Sequence, residues 1–128
     1  MTAFDELMAE VMAHSVRFGH RQHIELTWHA VRRYGEAAAS DLVREGIQTT
    51  ARYAGAPQKY HETVSRAWVR LVGHHTADPA ADFDTFAERY PELLDKRLLS
   101  THYSSALLAS ATARTAWVEP DLAPLPVS

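Results

Sequence analysis

His20, His23 and His29 fall within the stretch FGHRQHIELTWH, residues 18–29, and His61 stands in KYHET, residues 59–63. An imidazole binds a divalent cation through its neutral nitrogen. Three protein ligands around an ion with one open position let that ion activate water or polarise a carbonyl. The chain has no cysteine, which excludes thiolate nucleophiles, disulfides, iron–sulfur clusters and cysteine-bearing zinc sites. A metal here must therefore sit on nitrogen and oxygen.

Helices must position these groups. Thr2 and Asp5 have the spacing of a capping box, and Phe4, Leu7, Met8, Val11 and Met12 recur at helical period, predicting a first helix over residues 3–16 ended by Gly19. A second helix is expected over 20–34 and a third over 36–54, separated by Gly35. The break AGAP precedes a fourth, with Pro57 in its first turn and its end near Gly73. Beyond the loop HHTADPAAD come a short helix in FDTFAERY, another from Pro91 to about residue 99, and a last one over SALLASATARTAW, residues 105–117. Pro120, Pro124 and Pro126 mark residues 119–128 as an extended tail, strapped to the surface or loose. The predicted class is all-α: one domain over 1–128, with a four-helix up-and-down core, short additional C-terminal helices and this proline-rich tail.

At about 100° per residue, His20, His23, Thr27, Trp28 and Val31 share the buried face of helix two, while Arg21, Glu25, His29 and Arg33 face water. On helix four, His61 groups with Tyr60, Val64 and Trp68, and Glu62 lies at the border. In an up-and-down bundle, helices two and four run the same way, so His20, His23 and His61 meet at one end. His102 arrives there too if the segment after Asp82 returns antiparallel. This predicts a metal site of His20, His23 and His61, zinc being the first choice by ligand type and iron, copper, nickel and manganese the alternatives. Glu62 would act as general base, with Tyr60 and His102 as further catalytic groups. Thr27, Trp28, Trp68 and Tyr103 would line an apolar pocket for a small molecule.

Each signal has a plainer explanation. A lone H-x-x-H recurs in ordinary helices, and a histidine near a helix start often serves a local hydrogen bond. Trp28 and Trp68 are core residues first. His14 is expected to complement the end of helix one, and His74 and His75 to follow helix four into solvent.

The segments FGHRQHIELTW, KYHETVSRAW and ARTAWVEPDLAPLP resemble a family of small, mostly uncharacterised bacterial helical proteins, with the motifs F-x-H-x-x-H, Y-H-E-T and a terminal PD-x-x-P-L-P-like segment. The resemblance spans nearly the whole chain. It implies that His20, His23, Tyr60, His61, Glu62 and the His-Tyr-Ser at residues 102–104 belong to the family pattern, and it implies no particular reaction.

The net charge of −3 and the scattered arginines lack the basic footprint of a nucleic-acid binder. No apolar run reaches membrane-span length, and the acidic N-terminus is unlike a secretory signal, so a cytoplasmic protein is expected, with a homodimer allowed. Three functional readings follow. The first is a metal-dependent enzyme performing hydrolysis, hydration, elimination or isomerisation on an apolar or aromatic small molecule. The second is a metal-free enzyme using His61 and Glu62 as an acid–base pair, and the third is a non-catalytic binding or regulatory module.

Overall fold

The computed structural model describes residues 2–126, which form several helices and no strand. Among these residues no helix is long and apolar enough to cross a membrane. The tail expected over 119–128 is described as far as Pro126, and Val127 and Ser128 lie outside the described residues.

Helix α1 (Ala3–Met12) begins with the anticipated capping box: Thr2 Oγ1 accepts from the Asp5 amide at 3.1 Å and Asp5 Oδ2 from the Thr2 amide at 3.2 Å. It buries Leu7 and Val11. It ends a turn earlier than expected, because the stripe after Val11 continues with the polar Ser15 while Val16 is fully exposed. Helix α2 (His20–Tyr34) and helix α3 (Glu36–Tyr53) match the expected spans nearly to the residue. Gly35 alone joins them, at φ 85° and ψ 163°, in a backbone region open essentially to glycine. Helix α2 packs against α1, α3 and α4.

The fourth helix starts later than Pro57 suggests. Pro57–Lys59 form a separate 3₁₀ turn, Tyr60 and His61 are extended, and α4 runs over Glu62–Thr76 with His61 as its N-cap. His74 and His75 consequently lie in its last turn rather than beyond it, and the His75 ring sits 4.4 Å from that of Tyr90.

The C-terminal third is more broken than its composition suggests. After α5 (Phe83–Arg89), the expected helix from Pro91 is two 3₁₀ stretches, Pro91–Leu94 and Lys96–Thr101, parted where the Asp95 side chain accepts from the Arg97 amide at 2.9 Å. The last expected helix is likewise two, α6 (Ser105–Leu108) and α7 (Ala111–Thr115), because Ser110 Oγ accepts from the Ala113 amide and starts a new turn. The tail is strapped down: Leu125 is buried, and the Leu122 amide donates to the His102 carbonyl at 2.9 Å.

Two apolar clusters fill the interior. Leu7, Val11, Leu26, Ala39, Val43 and Val69 join α1 through α4. Trp28, Trp68, Phe83, Phe86, Leu93 and Tyr103 join α2 and α4 to the C-terminal third.

A Cβ on Gly35 meets nothing within 4 Å, so Gly35→Ala is a test of backbone conformation alone. It should cost about 1–3 kcal/mol in chemical denaturation with an unchanged m-value, whereas a cost near zero would show that this corner tolerates a side chain.

Candidate functional site

His20 occupies the first position of α2, after a start at which the Gly19 amide donates to Gln22 Oε1 at 2.9 Å. Its Nε2 lies 2.9 Å from the Leu93 carbonyl. A carbonyl only accepts, so this nitrogen carries the proton. The ring packs against that of Trp68 in a T-shaped arrangement, with centroids 4.6 Å apart. Burial lowers the His20 pKa against the opposing pull of the Leu93 carbonyl. His23 lies on the same side, its ring 6.3 Å from that of His20, and burial with a smaller contribution from His20 pushes its pKa down to about 4. Both imidazoles therefore favour the uncharged form, with burial as the leading cause.

His61 does not join them as a third free donor. As N-cap of α4, its Nδ1 accepts from the Val64 amide at 3.2 Å, while its Nε2 donates to the Leu108 carbonyl at 2.7 Å. A neutral imidazole has one donor and one acceptor nitrogen, and both are used. Among the described residues, no group of three or more His, Asp or Glu side chains is arranged to hold a metal ion. The anticipated three-imidazole centre would require His61 to give up one of these two bonds. A helical Tyr60 and His61 would face inward; their extended backbone instead turns the imidazole onto the helix end.

His102 repeats the pattern of His20 and His61. Its Nδ1 lies 2.9 Å from the Ala123 carbonyl, pinning the tail. Side-chain hydroxyls do the same work. Tyr103 donates to the Val118 carbonyl at 2.8 Å, and burial pushes its pKa up to about 12. Thr63, fully buried, lies 2.7 Å and 2.8 Å from the carbonyls of Ala113 and Ala116 and accepts from the Val118 amide. Thr27 donates back to the His23 carbonyl at 2.8 Å. Thr27 and Tyr103 thus have their hydroxyl protons engaged within the fold. Trp28 packs on Phe83 and Phe86, each at 5.8 Å, with the Arg32 guanidinium 4.2 Å over its ring, and Trp68 is buried in the same cluster.

Tyr60 and Glu62 are brought together elsewhere. The Tyr60 hydroxyl donates to Glu62 Oε1 at 2.6 Å, the Arg44 guanidinium meets Glu62 Oε2 at 2.6 Å, and Arg66 stands 3.8 Å away. Burial and then the Glu62 carboxylate push the Tyr60 pKa up to about 12. Arg44 Nε is buried without a partner. Tyr60 and Glu62 line a polar cleft of about 290 Å³ with Gln48, Gln58, Arg114 and Thr115. Arg44 had no local signal in the sequence, since Glu62 lies eighteen positions further on.

Glu25, expected in solvent, is buried instead. Its Oε2 takes His14 Nε2 at 3.1 Å and His29 Nε2 at 3.6 Å. The shorter α1 frees His14 to fold back onto α2. The i,i+4 spacing of Glu25 and His29 was the one sequence signal for this cluster.

No protein-family model, curated protein or solved structure matches the chain.

The neutral His23 makes folding sensitive to acid. Its folded pKa of about 4 lies below the ordinary 6.5, so its contribution is complete above pH 6.5 and is lost as the pH falls toward 4. Between pH 7 and pH 5 the protein should lose about 2 kcal/mol more stability than a His23→Gln variant in parallel urea titrations. Parallel pH profiles for the two proteins would refute this role.

Proposed function

We propose that the chain is a non-catalytic helical binding or regulatory module, in which the four longer helices act as an up-and-down core and the histidines brace the C-terminal third against it. The observation that carries this reading is His61. Both of its nitrogens are engaged, one capping α4 and the other holding the Leu108 carbonyl of α6. Binding a metal there would cost a helix cap and a hydrogen bond to a partly buried carbonyl, together worth about 2 kcal/mol, before any ligand geometry was gained. His20 and His102 support the same reading, each being engaged with a carbonyl distant in sequence.

The test is thermal unfolding of untagged, metal-stripped protein with zinc, iron(II), copper, nickel and manganese in turn. An ion bound only by the native state at a hundredfold excess over its Kd adds about 2.7 kcal/mol of stability, several degrees in midpoint for a chain of this size. The midpoint should stay in place with every ion, and His61→Ala should lower it by the same amount with and without metal. A rise with one ion that His61→Ala abolishes would restore the metal-dependent reading.

The cleft beside Glu62 favours a second reading, a metal-free site in which Tyr60 and Glu62 hold a small polar molecule. Turnover or binding that survives strong chelation and falls at least about tenfold in Tyr60→Phe, with the unfolding midpoint little changed, would select it.

A further inference from the structure

Helices α1 and α3 leave an open groove of about 730 Å³ between them. Phe4 and Leu42, both partly exposed, give it apolar walls. The Phe4 ring lies directly on Gly46, where there is no room for a Cβ, so the ring sinks against the backbone of α3. The rim is acidic: Asp5, Asp41 and Glu45 line the groove, and among the described residues no lysine, arginine or histidine does. Tyr53 stands at the C-terminal end of α3, 90 % exposed.

An exposed aromatic beside an apolar trough is the kind of anchor that dominates helix-in-groove recognition. The charge specifies the partner. Three carboxylates, of which Asp41 alone has an arginine beside it among the described residues, favour a positively charged occupant and steer its approach. Among the described residues Asp41 is engaged by the exposed i,i+3 pair with Arg44 at 3.1 Å, a contact worth little, and Asp5 accepts from the Thr2 amide through Oδ2. A second copy is a poor occupant, because a two-fold interface would bring the same three carboxylates face to face.

We propose that this groove docks a cationic amphipathic helix of a partner protein. Its apolar face lies on Phe4 and Leu42, its lysines or arginines reach Asp5, Asp41 and Glu45, and Tyr53 packs against one end. The proposal rests on the reading of the chain as a binding module and names the class of partner.

The experiment uses the full chain and two synthetic amphipathic helices of about 18 residues with the same leucine pattern, one carrying lysine and the other glutamate on its polar face. Amide shifts are followed by NMR and affinities by calorimetry. The lysine peptide should bind, shift the amides around residues 3–5, 41–46 and 53, and weaken with added salt. Tyr53→Ala, and separately Asp41→Asn with Glu45→Gln, should each weaken it about tenfold. Absence of binding, equal binding of the glutamate peptide, or shifts confined to another face would overturn the proposal. So would concentration-dependent self-association abolished by Tyr53→Ala, which would give the groove to a second copy. Each of these results leaves the metal titration untouched, so failure of the groove is distinguishable from failure of the module reading.

Discussion

The structure depends on one constraint: a backbone carbonyl that leaves regular secondary structure and becomes shielded from water must still find a donor. The C-terminal third consists of short turns, and helical bonding leaves many of its carbonyls without partners. Side chains from the longer helices and from the C-terminal third itself supply the missing protons. His20 reaches Leu93, His61 reaches Leu108, Thr63 shares its one proton between Ala113 and Ala116, Tyr103 reaches Val118, and His102 reaches Ala123. An unmet donor or acceptor in such a place costs about 1–3 kcal/mol, so this set is comparable in weight to a substantial part of a small domain's net stability.

Imidazole suits this work because it presents a donor at a fixed distance from the helix axis and, when neutral, adds no charge to a shielded site. That need also explains the direction of the pKa shifts. Burial holds His20 and His23 in the uncharged form, and for His20 that is the form with one proton on Nε2 for the Leu93 carbonyl. The same two properties, an inward imidazole and a lowered pKa, would equally mark a metal ligand. What separates the cases is where the second nitrogen points, and at His61 it points to the Val64 amide.

Much of the helical framework was legible in the sequence because its signals are local. Gly19 and Gly35 bracket α2, and Thr2 with Asp5 starts α1. The inward side of α2 was also legible for His20, His23 and Trp28, since apolar period fixes it. The start of α4 was not. A proline followed by helix-forming residues suits both a helix start and a separate 3₁₀ turn, and what decides between them is the bond from His61 to Leu108, forty-seven residues away. The burial of Glu25 was not legible, because its partner His14 reaches it only through the end of α1 at Met12, which no local signal marks. Of the candidate site residues, Tyr60 and Glu62 do meet, but around Arg44, which belongs to another helix.

The corner at Gly35 leaves the chain no slack. Helices α2 and α3 share this one residue, so a single amino acid inserted beside it finds no loop to absorb it and rotates α3 by about 100°. Ala39 and Val43 would swing out of the interior together, and Ala38 and Leu42 would move into their places around the helix. Length variation in this protein should therefore be confined to stretches such as the one following Ala54, while the distance between Tyr34 and Glu36 stays invariant.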